Sequence, residues 1–397
     1  MEGRYGKWST PRSAIQDGDG PGVVARWPSI ATIGDRAYFA GTDIAFFTDD
    51  TVGANVLRIG ELGGGSIAVP SGSFRFAFPR LIADARNRLH LLWAEPVDGA
   101  SPVSGVGWLR QTLSRVWTAT RSSEGDWSSP RLIYEGSRLG WRNAVVGAGA
   151  GAGQSKWALS VVEHDHSGRH HAIVLFHFEN GEMVASVVDS AERAVHSSVA
   201  SVGTDVFLGF VSPVPRELLG PVGSDVNSVH LSVSHDGGKY WDAATLVSRS
   251  GEHAAHELRT LLAPDGTVHL VWRQSRVESG EVIRHVASSD GGRTWSQPDD
   301  LLLAPGSSGM RAVMDLRGRV HVVLEHWEAQ TGEAHVDYAT WRDEWSVMEH
   351  LFPSLSVTGT TLHRALDGRL LLAFLARPAG SPMDVAGYSM YSDTRVR

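Results

Sequence analysis

A unit of roughly 50 residues recurs seven times along this chain, and no other feature restricts its fold as strongly. His256 to Trp272 reads as an apolar strand, a tight turn at Asp265-Gly266 and a second apolar strand, the signature of a β-hairpin. The same register returns from Pro79 to Trp93 and from Arg311 to Leu324 with identical spacing. Looser copies run from Ala31 to Ala40, Val199 to Phe210 and Leu362 to Phe374, and the weakest from Trp157 to Phe176. A short all-β unit repeated at this period buries its apolar faces by stacking on its neighbours, as the blades of a propeller do. The sequence therefore predicts an all-β, seven-bladed β-propeller, with six blades as the alternative.

The second half of the unit is more specific. Ser234-His235-Asp236-Gly237-Gly238-Lys239-Tyr240-Trp241 and Ser288-Ser289-Asp290-Gly291-Gly292-Arg293-Thr294-Trp295 both fit S-x-D-x-G-x-x-W. The Asp carboxylate suits backbone N–H groups across a tight turn, Gly238 and Gly292 supply positive φ, and Trp241 and Trp295 pack the hairpin. Trp-Ser then opens the fourth strand at Trp127-Ser128, Trp295-Ser296 and Trp345-Ser346. Another copy, Trp8-Ser9-Thr10-Pro11, precedes any hairpin, while the last repeat stops after a third strand, Ala386 to Asp393. A strand of about residues 3–12 is thus expected to complete the last blade, because pairing the two open edges removes both. The stretches 63–65, 147–153 and 213–215 read as loops, a short helical turn is placed near Ala191-Glu192-Arg193, and residues 1–397 read as one domain.

The paired S-x-D-x-G-x-x-W turns and the blade repeat resemble the sialidase and BNR-repeat (Asp-box) superfamily of β-propellers. The resemblance covers nearly the whole chain and is specific for fold. It implies that Asp236, Gly238, Trp241, Asp290, Gly292 and Trp295 are structural, lying on the face away from the active site. Sialidases carry an Arg-Ile-Pro element whose arginine grips a carboxylate. Here the nearest stretch is Ala77-Phe78-Pro79, and seven blades exceed the six of sialidases, so the resemblance points to a relative of other activity.

Composition narrows the chemistry. With 36 Lys and Arg against 44 Asp and Glu, the net charge of −8 argues against a nucleic-acid partner. The absence of cysteine excludes disulfides, thiolate nucleophiles and Cys-based zinc sites. The first residues lack a secretion signal and no apolar run is long enough to cross a bilayer, so a cytoplasmic protein without membrane partners is expected, or a secreted one if this is a trimmed mature chain.

In propellers the start of each blade's first strand faces the functional mouth. Counting back seven residues from the turn gives Arg80, Arg259 and Arg311 in one register. Such a cluster suits a carboxylate or sulfate, and the other reading pairs each arginine with an acid on the next blade. The end of the second strand reaches the same mouth and carries Glu95, Arg273-Gln274, Glu325-His326, His177 and Arg377. Arg273 joins the substrate-binding set, and Glu325, His326, Glu95 and His256 are the acid–base candidates. His256 could abstract a proton beside a uronate carboxylate, as the resemblance to propeller lyases implies. His90, His269 and His321 share a register that reads as blade packing, and His164-Asp165-His166 with His170-His171 reads as an exposed turn ahead of a metal loop. No metal or other cofactor is expected. The leading expectation is a sialidase-like glycoside hydrolase or lyase acting on an anionic sugar or glycan; the alternatives are a non-catalytic carbohydrate-binding scaffold and a lyase or cyclase of intracellular small-molecule biosynthesis.

Overall fold

The structure is a computed structural model, and it describes residues 7–13, 25–43, 56–62, 66–68, 79–84, 86–96, 113–122, 125–139, 145–149, 156–164, 171–188, 194–213, 227–248, 255–276, 280–328, 330–365, 367–378 and 385–392. Seven antiparallel sheets form the seven blades of a β-propeller, and every regular element among the described residues is a strand. Blade 1 comprises Ala25–Ile33, Arg36–Asp43, Val56–Glu61 and Ser66–Ala68; blade 2, Arg80–Ala83, Leu89–Pro96, Leu113–Arg121 and Arg131–Glu135. Blade 3 has Trp157–His164, His171–Glu179 and Glu182–Val188; blade 4, His196–Val202, Asp205–Pro213, Asn227–Ser234 and Thr245–Ser248. Blade 5 runs Ala255–Leu262, Val268–Arg276, Gly280–Ser288 and Asp299–Leu302, and blade 6, Ser307–Met314, Val320–Glu328, Glu333–Trp341 and Glu349–Leu351. Blade 7 contains Leu355–Arg364, Leu370–Pro378 and Val385–Ser392. The second strand of blade 4 is apolar on both faces, as Val206 to Val211 shows, because blades 3 and 5 cover it on its two sides.

Turn chemistry fixes the hairpins. Asp236 Oδ1 accepts the backbone N–H groups of Lys239 and Tyr240 at 3.0 Å, and Asp290 Oδ1 those of Arg293 and Thr294 at 3.0 and 2.9 Å. Gly238 and Gly292 both sit at positive φ and donate to Ser234 and Ser288 Oγ at 2.8 Å. The Trp-Ser pairs share one geometry. Oγ of Ser128, Ser296 and Ser346 accepts the N–H of Thr120, Ala287 and Thr340 at 3.0, 3.0 and 2.9 Å, and the serine N–H donates back to the carbonyl of the same residue.

Ser9 repeats this arrangement on blade 7: its Oγ accepts the Met390 N–H at 3.1 Å and its own N–H donates to Met390 O at 2.8 Å. Lys7 and Trp8 pair with Ser392 and Tyr391, and Arg12 and Ser13 with Tyr388 and Gly387. The N-terminal strand therefore completes the last blade. Trp8 secures it by edge contact with Tyr338, 5.5 Å between centroids, and by tilted contact with Tyr391 at 5.4 Å. Asp393 lies outside the described residues.

Contacts gather into two compact units, Met1–Leu132 with Val323–Tyr338 and Met348–Arg397, and Ile133–Val322 with Ala339–Val347. In the first, blades 1 and 2 share a core of Tyr38, Ile59, Leu81, Leu89, Leu91 and Trp93. In the second, Val162, Ile173, Leu175, Val199, Leu208 and Phe210 join blades 3 and 4, against which Trp241 packs. Leu258, Leu270, Trp272 and Val286 continue that packing into blade 5, where Trp295 covers them. An additional segment pairs with the first strands of blades 3 and 4. Arg138–Leu139 and Val145–Val146 pair antiparallel with the first strand of blade 3, and Ala148–Gly149 pairs parallel with Ala200 and Ser201 of blade 4. Residues 147–149, expected as loop, thus belong to this strap; residues 150–153 lie outside the described residues, as do the helical turn expected at 191–193, residues 63–65, Val214 and Pro215.

Candidate functional site

The start of the first strand in blade 5 is irregular. Its pairing with the second strand slips between His256 and Arg259, and Glu257 adopts φ of +51°. A left-handed backbone costs a non-glycine residue about 1–2 kcal/mol, so something must hold it. Two side-chain bonds to one residue of blade 6 do so. Glu257 Oε2 accepts the Met310 N–H at 2.9 Å, and Arg259 Nη2 donates to Met310 O at 2.8 Å. The bulge disturbs the alternation of side chains, which lets neighbouring residues serve one site.

The three arginines of the common register make one equivalent hydrogen bond. Nη1 of Arg80, Arg259 and Arg311 donates to the carbonyl of the preceding residue, Pro79, Leu258 and Met310, at 3.0, 2.8 and 3.1 Å. Arg259 and Arg311 belong to the same unit and bond the same Met310 carbonyl, whereas Arg80 belongs to the other. Carbonyls satisfy hydrogen-bonding capacity without cancelling charge. Burial and the repulsion of Arg311 accordingly push Arg259 down to about 10, against the pull of Glu257.

Arg273 faces His256 across the ladder. Its Nη1 donates to Ser307 O at 2.7 Å, its Nε lies 3.6 Å from Glu257 Oε2, and Nη1 lies 3.6 Å from Glu281 Oε2. Both separations exceed hydrogen-bond length, and Nε is a buried donor without a hydrogen-bond partner. The side chains of Arg273, Glu257 and Glu281 are 16%, 22% and 32% exposed, so this group borders solvent. Burial would raise Glu257, but Arg273, the Met310 N–H, Arg259 and Arg311 together hold it below the usual range. Burial and then Arg273 keep His256 below its ordinary value, against Glu281 and Glu257. His196, opening the first strand of blade 4, is lowered to about 4, chiefly by burial, and feels Glu257, Arg259, His256 and Arg273.

The site thus unites His256, Arg259, Arg273 and Arg311 with Glu257, Glu281 and His196, the last three being residues that sequence reasoning missed. Only the adjacency of Glu257 to His256 could have flagged any of them. The other candidates make contacts of their own. Glu95 Oε1 accepts the indole N–H of Trp93 at 3.2 Å, the role that Gln274 plays for Trp272 at 2.8 Å. Glu325 Oε1 accepts both the N–H and the hydroxyl of Thr360 at 2.8 Å, joining blade 6 to blade 7. His326 Nδ1 is 3.5 Å from Asp337, which also holds His350 Nδ1 at 3.0 Å. His177, on the second strand of blade 3, is lowered to about 4, first by burial, and Arg377 is exposed on the second strand of blade 7. His90 and His321 bond Asp84 and Asp315 at 3.0 and 3.2 Å, while His269 bonds His285 at 2.8 Å. His164 and His171 are cross-strand partners, and Asp165, His166 and His170 lie outside the described residues. Among the described residues no group of three or more His, Asp or Glu side chains is arranged to hold a metal ion.

No known family profile matches the chain, and no curated protein is similar to it in sequence. Solved structures are similar in fold. A Dyadobacter fermentans protein of unknown function aligns over 98% of this chain and 99% of its own, at 13% identity and a TM-score of 0.53. The β-propeller domain of the Trilobed protease from Pyrococcus furiosus aligns over 93% and 94%, at 12% identity and a TM-score of 0.50. The NanB sialidase from Streptococcus pneumoniae aligns over 96% of this chain and 70% of its own, at 11% identity. Its TM-score of 0.45 carries no argument about activity. These likenesses speak to the propeller fold alone.

Proposed function

We propose that the protein acts on an anionic sugar or glycan, holding the anion at Arg273 within the field of Arg259 and Arg311. The observation that carries this reading is the buried Arg273 Nε, a charged donor without a hydrogen-bond partner in a group that borders solvent. Elimination suits the site better than hydrolysis. A glycosidase needs a carboxylic acid that donates a proton, and the cations around Glu257 keep it ionised. His256 is held unprotonated near neutral pH, as a general base must be. In this scheme His256 takes the proton on the carbon next to a uronate carboxylate. The C–H electron pair forms the new C=C bond, the glycosidic C–O bond breaks, and solvent protonates the departing oxygen. The S-x-D-x-G-x-x-W turns support placing the chain among the sialidase-like Asp-box propellers.

The test is the ultraviolet absorbance of an unsaturated uronate released from oligouronides. His256→Ala should lower kcat by about 100-fold or more while leaving ligand affinity nearly intact, and Arg273→Gln should weaken KM by about 10-fold or more. Binding without turnover in the unmodified protein would replace this reading with that of a carbohydrate-binding scaffold. An unchanged rate in His256→Ala would remove His256 from the chemistry.

A further inference from the structure

Trp327 is placed unlike the other tryptophans of the blades. Trp93 and Trp272 are buried, and Trp241, Trp295, Trp341 and Trp345 are half-buried, whereas Trp327 is 53% exposed. It stands within the second strand of blade 6, Val320–Glu328, so the backbone beneath it is held by its sheet. Its indole makes neither a ring contact nor a hydrogen bond among the described residues. Alternation along the strand puts Trp327 on the face of Glu325, away from His326 and Glu328. That face turns to the first strand of blade 7, because Glu325 Oε1 accepts the Thr360 N–H at 2.8 Å. Nearer the start of the same strand, Ser356 Oγ accepts the N–H of Ala334, just past the turn that follows Trp327, at 3.1 Å. Ser356 thus keeps its own hydroxyl proton to donate. Thr358, between these two anchors, is half-buried, and its hydroxyl makes no hydrogen bond among the described residues.

We propose that Trp327 is the platform of a second binding site, which takes a hexopyranose ring by its face of C–H bonds. The indole presents a negative π face, and the axial C–H bonds of a ring with equatorial hydroxyls present a slightly positive one. The rim of sugar hydroxyls then meets the hydroxyls of Ser356 and Thr358. A protein partner fits this surface less well, because a stable protein interface needs an apolar core of several contiguous side chains. In the same compact unit the other exposed large apolar side chain among the described residues is Leu132, on the fourth strand of blade 2. Neither the arginines nor His256 enter this reading, so it stands whether or not the anion site does.

The experiment is calorimetric titration of the full chain with cellotetraose, a chain of uncharged rings with such faces, and with sorbitol, which has the hydroxyls and no ring. The unmodified protein should bind cellotetraose with a Kd of about 1 mM or tighter, and sorbitol about tenfold or more weakly than that. Trp327→Ala should weaken cellotetraose about tenfold or more, and Trp327→Tyr, which restores an aromatic face, should recover most of the loss. Thermal melting of both variants checks their fold. Failure of the unmodified protein to bind cellotetraose, equal binding of sorbitol, or undiminished binding by Trp327→Ala overturns the platform. A dimer in light scattering that dissociates in Trp327→Ala also overturns it, because the indole would then belong to a contact with a second copy of the chain. Cellotetraose carries no charge, so none of these outcomes bears on the anion site.

Discussion

A single atom distinguishes two glycines that the sequence presents alike. Gly266 and Gly292 have φ of +89° and +93°, conformations that side chains resist. A Cβ on Gly266 meets nothing within 4 Å, whereas on Gly292 it overlaps Cδ2 of Leu231, a side chain buried in the blade interface that must shift to admit it. Gly266→Ala should therefore cost about 1 kcal/mol of stability from backbone strain alone. Gly292→Ala should cost about 2–4 kcal/mol, because overpacking against blade 4 adds to the strain. Urea unfolding of the two variants measures the difference, and equal losses would mean that the blade interface yields. Glu257 shows the opposite use of the same backbone region: a charged residue held where glycine would be relaxed, its carboxylate accepting the Met310 N–H of the next blade.

The elements divide by the range of the interactions that define them. The Asp-Gly hairpins, the Asp236 and Asp290 turns and the Trp-Ser strands were legible, because each rests on bonds within a few residues of the motif that announces it. The N-terminal strand was legible for the same reason: Ser9 carries the local signature of a fourth strand, although its partner Met390 is remote in the chain. Ser296→Ala tests that signature. Losing the acceptor for the Ala287 N–H should cost about 0.5–1.5 kcal/mol and speed exchange of that amide, with little effect on amides of the first strand. The bulge at Glu257 was not legible, since it depends on Met310, 53 positions away, and on register with Arg273. Nor was the strap of residues 138–139 and 145–149, whose two-residue pieces gain strand character only from the edges they pair with. Of the site, the arginine register and His256 could be read from repeat position, but Glu281 and His196 occupy positions that nothing in the repeat singles out.

At the scale of the whole molecule, buried imidazoles set the acid limit of stability. His177, His196, His269 and His363 are lowered to about 4 and His285 to about 3, in every case chiefly by burial. The folded chain keeps them neutral while the unfolded chain binds protons below about 6.5, so the unfolded state holds more protons between these values. Stability should be full above about pH 6.5 and fall steeply towards pH 4, as unfolding free energies across that range will show; a flat profile down to pH 4.5 would contradict the neutral assignment. Removal of residues 1–13 should lower the melting temperature of the full chain, since it strips the outer pairing from blade 7 and the Trp8 contact from Tyr338 and Tyr391.

That same blade has a mechanical consequence. Lys7 stands opposite Ser392 and Ser13 opposite Gly387, so the two ends of the described chain enter one antiparallel ladder side by side at its outer end. Tension applied through these ends would peel the ladder apart one pair at a time rather than shear all its bonds together. A propeller whose sheets are otherwise covalently continuous thus carries its weakest link under pulling at the point where it is sewn shut.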